Sequence, residues 1–266
     1  MFFIDTFLFN GDWIAKLRLE YLYDYVDYFY IVESRYTFTG IRKEELFTEK
    51  YKDWFEPYLS KVRFVILEKP PFTKAWDEES FQRNIVSQYI LDDMGSNEFI
   101  LAVCDCDEIY DIHSLPSKEE LIRTLKSGTV LYINMSLYFY NFIFPTNNSW
   151  GSAFMIYSSL IENNYIDFSK MRVDRIVDTS TEIDSGWHLS YFFDVDGIQR
   201  KLRSFSHTEF NTQEINNKEH ILKSIKEGGH IFDGAKLKFQ ETAFESQKFP
   251  PLFKKYYEEL LHLQTV

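Results

Sequence analysis

Through its first 105 residues the chain alternates short β-rich runs with apolar residues at helical spacing, and that alternation admits few folds. "FFIDTFLFN" (2–10) is rich in β-formers and stops at Asn10-Gly11, a turn signal. In 12–25 the residues Ile14, Leu17, Tyr21, Leu22 and Tyr25 recur at the helical period. "YFYIVES" (28–34) and "VRFVILE" (62–68) read as further strands. Helix 78–92 gathers Phe81, Ile85, Val86, Tyr89 and Ile90, and "FILAVCD" (99–105) is a fourth strand. Such an order is the signature of a mostly parallel sheet with helices on its faces.

Beyond residue 105 the texture changes. Ser117-x-x-Glu120 is a capping box that opens a short helix. "TVLYINMSLYFYNFIF" (129–144) and "SAFMIYSSL" (152–160) read as longer aromatic strands joined by a turn at "PTNNSWG". Two helices, near 217–227 and 252–263, close the chain. With 266 residues, 45% of them hydrophobic, and no linker or repeat, the expectation is one α/β domain over 1–266. A formal net charge of −12 argues against binding a nucleic-acid backbone. "MFFIDTFLFN" lacks a basic n-region and carries Asp5, so it is no signal peptide. No run approaches the roughly 20 apolar residues of a membrane span, and the reading is a soluble, cytoplasmic protein. Cys104 and Cys106, the only cysteines, read as free thiols, since next-but-one cysteines seldom bridge and two cannot build a four-ligand zinc site.

The chemistry gathers in "EFILAVCDCDEIYD" (98–111), where an apolar run passes straight into Asp105, Asp107, Glu108 and Asp111. Open α/β sheets bind ligands beyond the carboxyl ends of their strands, which is where these carboxylates fall. Asp105 and Asp107 are spaced to converge on one hard divalent cation, Mg²⁺ or Mn²⁺, and the cation would neutralise a diphosphate. An EF-hand starting at Asp105 fails, having Tyr110 where Gly belongs and Pro116 where the bidentate Glu belongs. A haloacid-dehalogenase-like phosphatase also uses D-x-D, but early in its fold and with a later Gly-Asp pair, and here three strands precede the motif. A non-catalytic carbohydrate-binding protein is the third reading, since 26 Phe, 18 Tyr and 5 Trp leave rings for stacking on sugar faces.

"IDTFLFNGD", "VDYFYIVESRYTFTG", "AWDEESFQRN", "CDCDEI", "GWHLSYFF" and "KLRSFSHTEFN" stand in the order found in glycosyltransferase family 17, which the chain resembles from about residue 2 to 212. That family contains β-1,4-mannosyl-glycoprotein 4-β-N-acetylglucosaminyltransferases. The resemblance implies a GT-A fold, a Mn²⁺ or Mg²⁺ ion, a UDP-sugar donor such as UDP-N-acetylglucosamine, a glycan acceptor, and inversion to a β linkage. It divides the domain into a nucleotide-sugar half (1–111) and an aromatic-rich acceptor half (112–266). It maps the metal-binding D-x-D onto Asp105 and Asp107, with His207 of "SFSHTEF" as the late histidine and His188 of "GWHLSYFF" as its competitor.

Other candidates come from position and chemistry. An inverting transfer needs a carboxylate to take the acceptor's proton. Asp184, before the aromatic loop "SGWHLSYF", is the first choice, with Glu182 and Glu209 next. Trp187 is a candidate sugar platform. Glu33 ends the second strand, where ribose or uracil would be held, and Arg83 and Asn84 leave helix 78–92 away from its apolar stripe. Lys201 and Arg203 would alternate on one face of a strand at 198–206, both toward the diphosphate.

Overall fold

The computed structural model of the chain describes residues 1–68, 72–163, 166–175, 177–237 and 249–264. The first half runs β1 (Phe2–Leu8), α1 (Ala15–Leu22), β2 (Tyr28–Ser34), α2 (Phe47–Lys50), α3 (Lys52–Phe55), β3 (Val62–Leu67), α4 (Ala75–Met94), β4 (Phe99–Val103) and β5 (Glu108–Ile109). The second runs α5 (Lys118–Lys126), β6 (Val130–Phe139), β7 (Pro145–Tyr157), α6 (Ser158–Asn163), α7 (Phe168–Asp174), β8 (Ser180–Ser190), α8 (Val195–Ser204), α9 (Lys218–Glu227) and α10 (Pro251–Gln264).

The two-residue period of the strands builds two cores. Phe3, Phe7, Phe29, Ile31, Ile100 and Ala102 enter one, and Ile4, Tyr30, Val32, Leu101 and Val103 enter the other. Helices α1 and α10 cover the first through Leu17, Leu22, Phe253 and Leu260. Helices α4 and α7 cover the second through Val86, Ile90, Met94, Phe168 and Met171. Coverage of both faces is why these strands read as near-continuous apolar runs.

The strands form one sheet in the order β3-β2-β1-β4-β7-β6-β8-β5. β3, β2, β1 and β4 are parallel, as are β6 and β8, whereas β7 runs against β4 and β6, and β5 against β8. Four inter-strand steps separate β4 from β5, about 19 Å in a flat sheet. The five residues from Val103 to Glu108 span at most about 18 Å when fully extended, and here they also turn. The sheet therefore has to curl, and 104–107 crosses its open end. Gly186 permits the closure: at φ +87°, any Cβ would strike the Ile109 carbonyl.

Three local expectations are corrected. "PTNNSWG" is the start of β7, and the turn falls earlier, over 140–144, where Tyr140 takes φ +63°. The aromatic loop around Asp184 is strand β8, pinned parallel to β6. Residues 198–206 are not a strand but lie mostly in helix α8. Asp194 caps that helix by accepting from the Gly197 N–H at 2.7 Å, and Ile198 and Leu202, four apart, are buried under it. The alternation of Lys201 and Arg203 was a coincidence of charge placement on a helical period.

Candidate active site

Beyond β4 the chain leaves the sheet, and its new polar groups need partners. Glu108 N–H donates to the Asp105 carbonyl at 3.0 Å, and Asp105 N–H donates to Glu108 Oε2 at 2.6 Å. Arg18 braces this turn from α1. Its guanidinium, fully buried, grips Asp5 by two parallel hydrogen bonds (Nε–Oδ1 2.9 Å, Nη2–Oδ2 2.5 Å) and donates through Nη1 to the carbonyls of Asp105 and Glu108. A buried charge is tolerable only when so paired, and Asp5 and Arg18 supply each other's counter-charge. Glu108 is buried and satisfied as well, by Arg172 (2.8 Å to each carboxylate oxygen) and by the Trp150 indole N–H.

The two carboxylates of the D-x-D point to different cations. Asp105 accepts from Arg83 Nη1 at 2.8 Å and from Arg172 Nη2 at 2.7 Å. Burial works to raise its pKa, but Arg172 and Arg83 outweigh burial and hold it at about 2. Asp107 accepts from Lys201 Nζ at 2.8 Å, and His188 Nε2 lies 3.5 Å from its other oxygen. Burial opposes its ionisation too, yet Lys201 and His188 hold its carboxyl far below the usual range. Asp12, just past the Gly11 turn after β1, sits 3.7 Å from the same ammonium. Burial raises the Asp12 pKa, Lys201 opposes the rise, and the neighbouring Asp107 charge adds to it. Close by, a shallow recess with room for about one water molecule (10 Å³) opens at the end of β1, lined by Asn10, Tyr36, Thr37, Lys43, Gln82 and Ser204 among others.

This acidic strand end, braced by buried cations, lies beyond the carboxyl ends of parallel strands, the position at which open α/β sheets bind ligands. The model of Glycosyltransferase family 17 matches residues 3–248, nearly the whole chain. The chain belongs to glycosyltransferase family 17. It is therefore a glycosyltransferase enzyme. No curated protein matches it.

The glycosyltransferase fold brings some candidate residues together and separates others. Arg83 meets Asp105, and Lys201 and His188 meet Asp107. Arg83 lies off the apolar stripe yet is buried, because its side of α4 packs on this polar cluster while Val86, Ile90 and Met94 enter the apolar core and Phe81, Ile85 and Leu91 pack against it. Glu182 and Asp184 share the Asn134 side-chain amide, at 3.0 and 3.3 Å, and Glu182 also pairs with Arg175. His207 and Glu209 lie past α8, exposed and bound to each other at 2.7 Å, with the His207 ring against Trp76. Their link to the D-x-D is indirect: Ser206 donates to Glu79, Glu79 binds Arg83, and Arg83 binds Asp105.

Four candidates have structural employment. Glu33 is fully buried, accepting from the N–H groups of Phe47 (2.7 Å) and Thr48 (2.8 Å) and from Lys43 (2.9 Å), so it caps α2. Asn84 ties α4 to α7 through Asp167 (3.0 Å) and the Phe168 N–H (2.8 Å). Trp187 packs among Tyr21, Phe249 and Phe253 in the core. Arg203 bonds back to the Gln199 carbonyl within its own helix. Sequence reasoning missed Asp12, Arg18, Arg172 and Trp150. Asp12 was findable, since it too follows the carboxyl end of a strand of the parallel set, four residues beyond Leu8. Nothing in "KMRVDR" marks Arg172, which comes from the far half of the chain.

The carboxylates also decide what metal chemistry this glycosyltransferase can host. Among the described residues no three His, Cys, Asp or Glu side chains form a ready metal cluster. Both Asp105 oxygens are occupied by guanidinium groups, and His207 is turned toward Glu209. Asp107 and Asp12 do fit a hard cation in donor chemistry, because they present oxygen from two sides of a position now held by an ammonium. Among the described residues no helix is long and apolar enough to cross a membrane.

Proposed function

We propose that this glycosyltransferase moves a sugar, N-acetylglucosamine in the first instance, from a UDP-sugar to a glycan hydroxyl with inversion to a β linkage. The observation that carries the proposal is the cluster of Asp12, Asp105, Asp107, Arg83, Arg172 and Lys201 beyond the carboxyl ends of β1 and β4 in a family 17 chain. Such a cluster suits a diphosphate, which needs cations close by and fixed acceptors for its sugar and ribose hydroxyls. A haloacid-dehalogenase-like phosphatase or a non-catalytic sugar binder gains no support from this arrangement.

In the proposed reaction the acceptor oxygen attacks the anomeric carbon from the face opposite the diphosphate. The bond from that carbon to the phosphate oxygen breaks, and the diphosphate leaves with the electron pair. We assign the uptake of its charge to Lys201 and Arg83. A divalent cation, when bound through Asp107 and Asp12, would supply further charge neutralisation there. A carboxylate takes the acceptor proton, and we assign this to Asp184. Glu182 has its pKa lowered by the Asn134 hydrogen bond and by Arg175. Glu209 is likewise lowered, by His207.

The test is a thermal-shift series with UDP-N-acetylglucosamine, with and without Mn²⁺, alongside release of free UDP. Donor with metal is expected to stabilise the fold by about 2.7 kcal/mol at a hundredfold excess over Kd. Equal stabilisation in EDTA removes the metal from the reading. No response to any nucleotide sugar overturns the donor assignment.

A further inference from the structure

Lys201 sits in a cage that leaves its ammonium little else to do than act as a cation. Asp107 Oδ2 lies 2.8 Å away, Asp12 Oδ1 3.7 Å, and the ring centres of Tyr191 and Phe193 at 5.3 and 5.7 Å. The carboxylates are held by backbone. The Asp107 carbonyl accepts from the Leu189 N–H at 2.8 Å, and the Gly11 carbonyl beside Asp12 accepts from Arg200 at 3.1 Å. Helix α8 is anchored by buried Ile198 and Leu202, so it delivers the base of the lysine stem to one place. Only the stem itself, four methylenes long, is free to swing. His188 faces the same spot: it is 8% exposed, its Nε2 is 3.5 Å from Asp107, and its Nδ1 is buried without a partner.

We propose that Lys201 is the built-in cation of this site, lying between Asp12 and Asp107, and that Mn²⁺ or Mg²⁺ binds there only by displacing it. Two buried carboxylates this near a common point repel each other unless a positive charge lies between them. Lysine supplies that charge while no donor is bound, which keeps the acidic turn folded. An arriving diphosphate offers the ammonium a second anionic partner, so the lysine can leave the carboxylates as a divalent ion takes its place. The ligands then open to the metal are oxygens of Asp12 and Asp107, donors that suit a hard divalent ion. The inference rests on reading this cluster as the donor site, but its test needs neither donor nor turnover.

Free Mn²⁺ is titrated by electron paramagnetic resonance against the full chain and its variants, with circular dichroism confirming each fold. Lys201→Met is expected to bind Mn²⁺ at least about tenfold more tightly than the unaltered protein, a change of about 1.4 kcal/mol. Lys201→Arg keeps the charge and is expected to show no such gain. Adding Asp107→Asn to Lys201→Met should abolish it. Equal or weaker Mn²⁺ binding in Lys201→Met overturns the proposal. Should that variant fail to fold, the unaltered protein decides through reductive methylation of Lys201. Mn²⁺ is expected to speed modification of the released amine, and an unchanged or slower rate overturns the proposal. Failure of the glycosyltransfer reading would appear elsewhere, as UDP-N-acetylglucosamine left unbound and uncleaved by the unaltered enzyme.

Discussion

A carboxylate at this site acquires its role from the partner it meets. Asp105 and Asp107 are two residues apart, yet one is locked between two arginines and the other faces a lysine and a histidine. Each arginine gives Asp105 one hydrogen bond from a planar group also fixed elsewhere, Arg83 on Glu79 and Arg172 on Glu108, whereas the lysine ammonium is a compact charge on a flexible stem. Asp105 therefore reads as framework and Asp107 as the residue free to exchange partners. The assignment of Asp184 as base is tested at the same scale. Asp184→Asn keeps the shape but cannot take a proton, and general-base catalysis contributes about 10²–10⁴-fold. The expected result is a kcat loss in that range with nucleotide affinity unchanged, measured beside Glu182→Gln and Glu209→Gln. Transfer within about threefold of the unaltered enzyme, well short of the 10² floor, would move the role to another carboxylate.

At the scale of elements, α8 joins stability to the site. One cap, Asp194, begins it, and Gly197 is required in its first turn because a Cβ there would crowd Phe193 and Asp194. From that start Arg200 reaches Gly11, and Lys201 reaches Asp107. Asp194→Ala is expected to cost about 1 kcal/mol, the usual value of an N-cap. It should also lower turnover, because the first turn sets where Lys201 stands. The comparison is Asn217→Ala at the cap of α9, where Asn217 accepts from the N–H groups of Glu219 and His220. Urea melts of both variants should show similar losses, with turnover reduced only in Asp194→Ala. Equal turnover in the two would separate α8 capping from the site.

Over the whole molecule the site is a network of buried charges closing a curled sheet, and such a network responds to acid. Asp105 has a folded pKa of about 2, and Asp107 is also depressed, both below the unfolded value of about 3.9. A depressed carboxylate contributes stability that is present above the unfolded pKa and lost as pH falls through the folded one. Asp12 runs the other way, since its raised pKa favours the protonated folded state and removes stability as pH rises. The two depressed groups outnumber it, so stability is expected to hold above about pH 4 and fall toward pH 2. Asp105 alone accounts for about 1–2 kcal/mol of that loss after allowance for its partial exposure. Urea unfolding from pH 7 down to pH 3 checks the sign, and Asp105→Asn should flatten the dependence.

The sequence by itself determined most of the frame. The strands 28–34 and 62–68, the capped helix after Ser117, and the family were readable because local period, turn residues and ordered motifs need no distant partner. The carboxyl end of β4 was readable too, since an apolar run passing into Asp105 and Asp107 announces where the strand stops. Tertiary structure alone decided which charges meet there. Arg18, Arg83, Arg172 and Lys201 come from four separate helices, and no local pattern encodes contacts between residues 22 to 94 positions apart. The same reason explains why Glu33 became a cap and Trp187 a core residue. Each had the right chemistry for a ligand, but a backbone N–H or an aromatic neighbour from elsewhere in the chain reached it first.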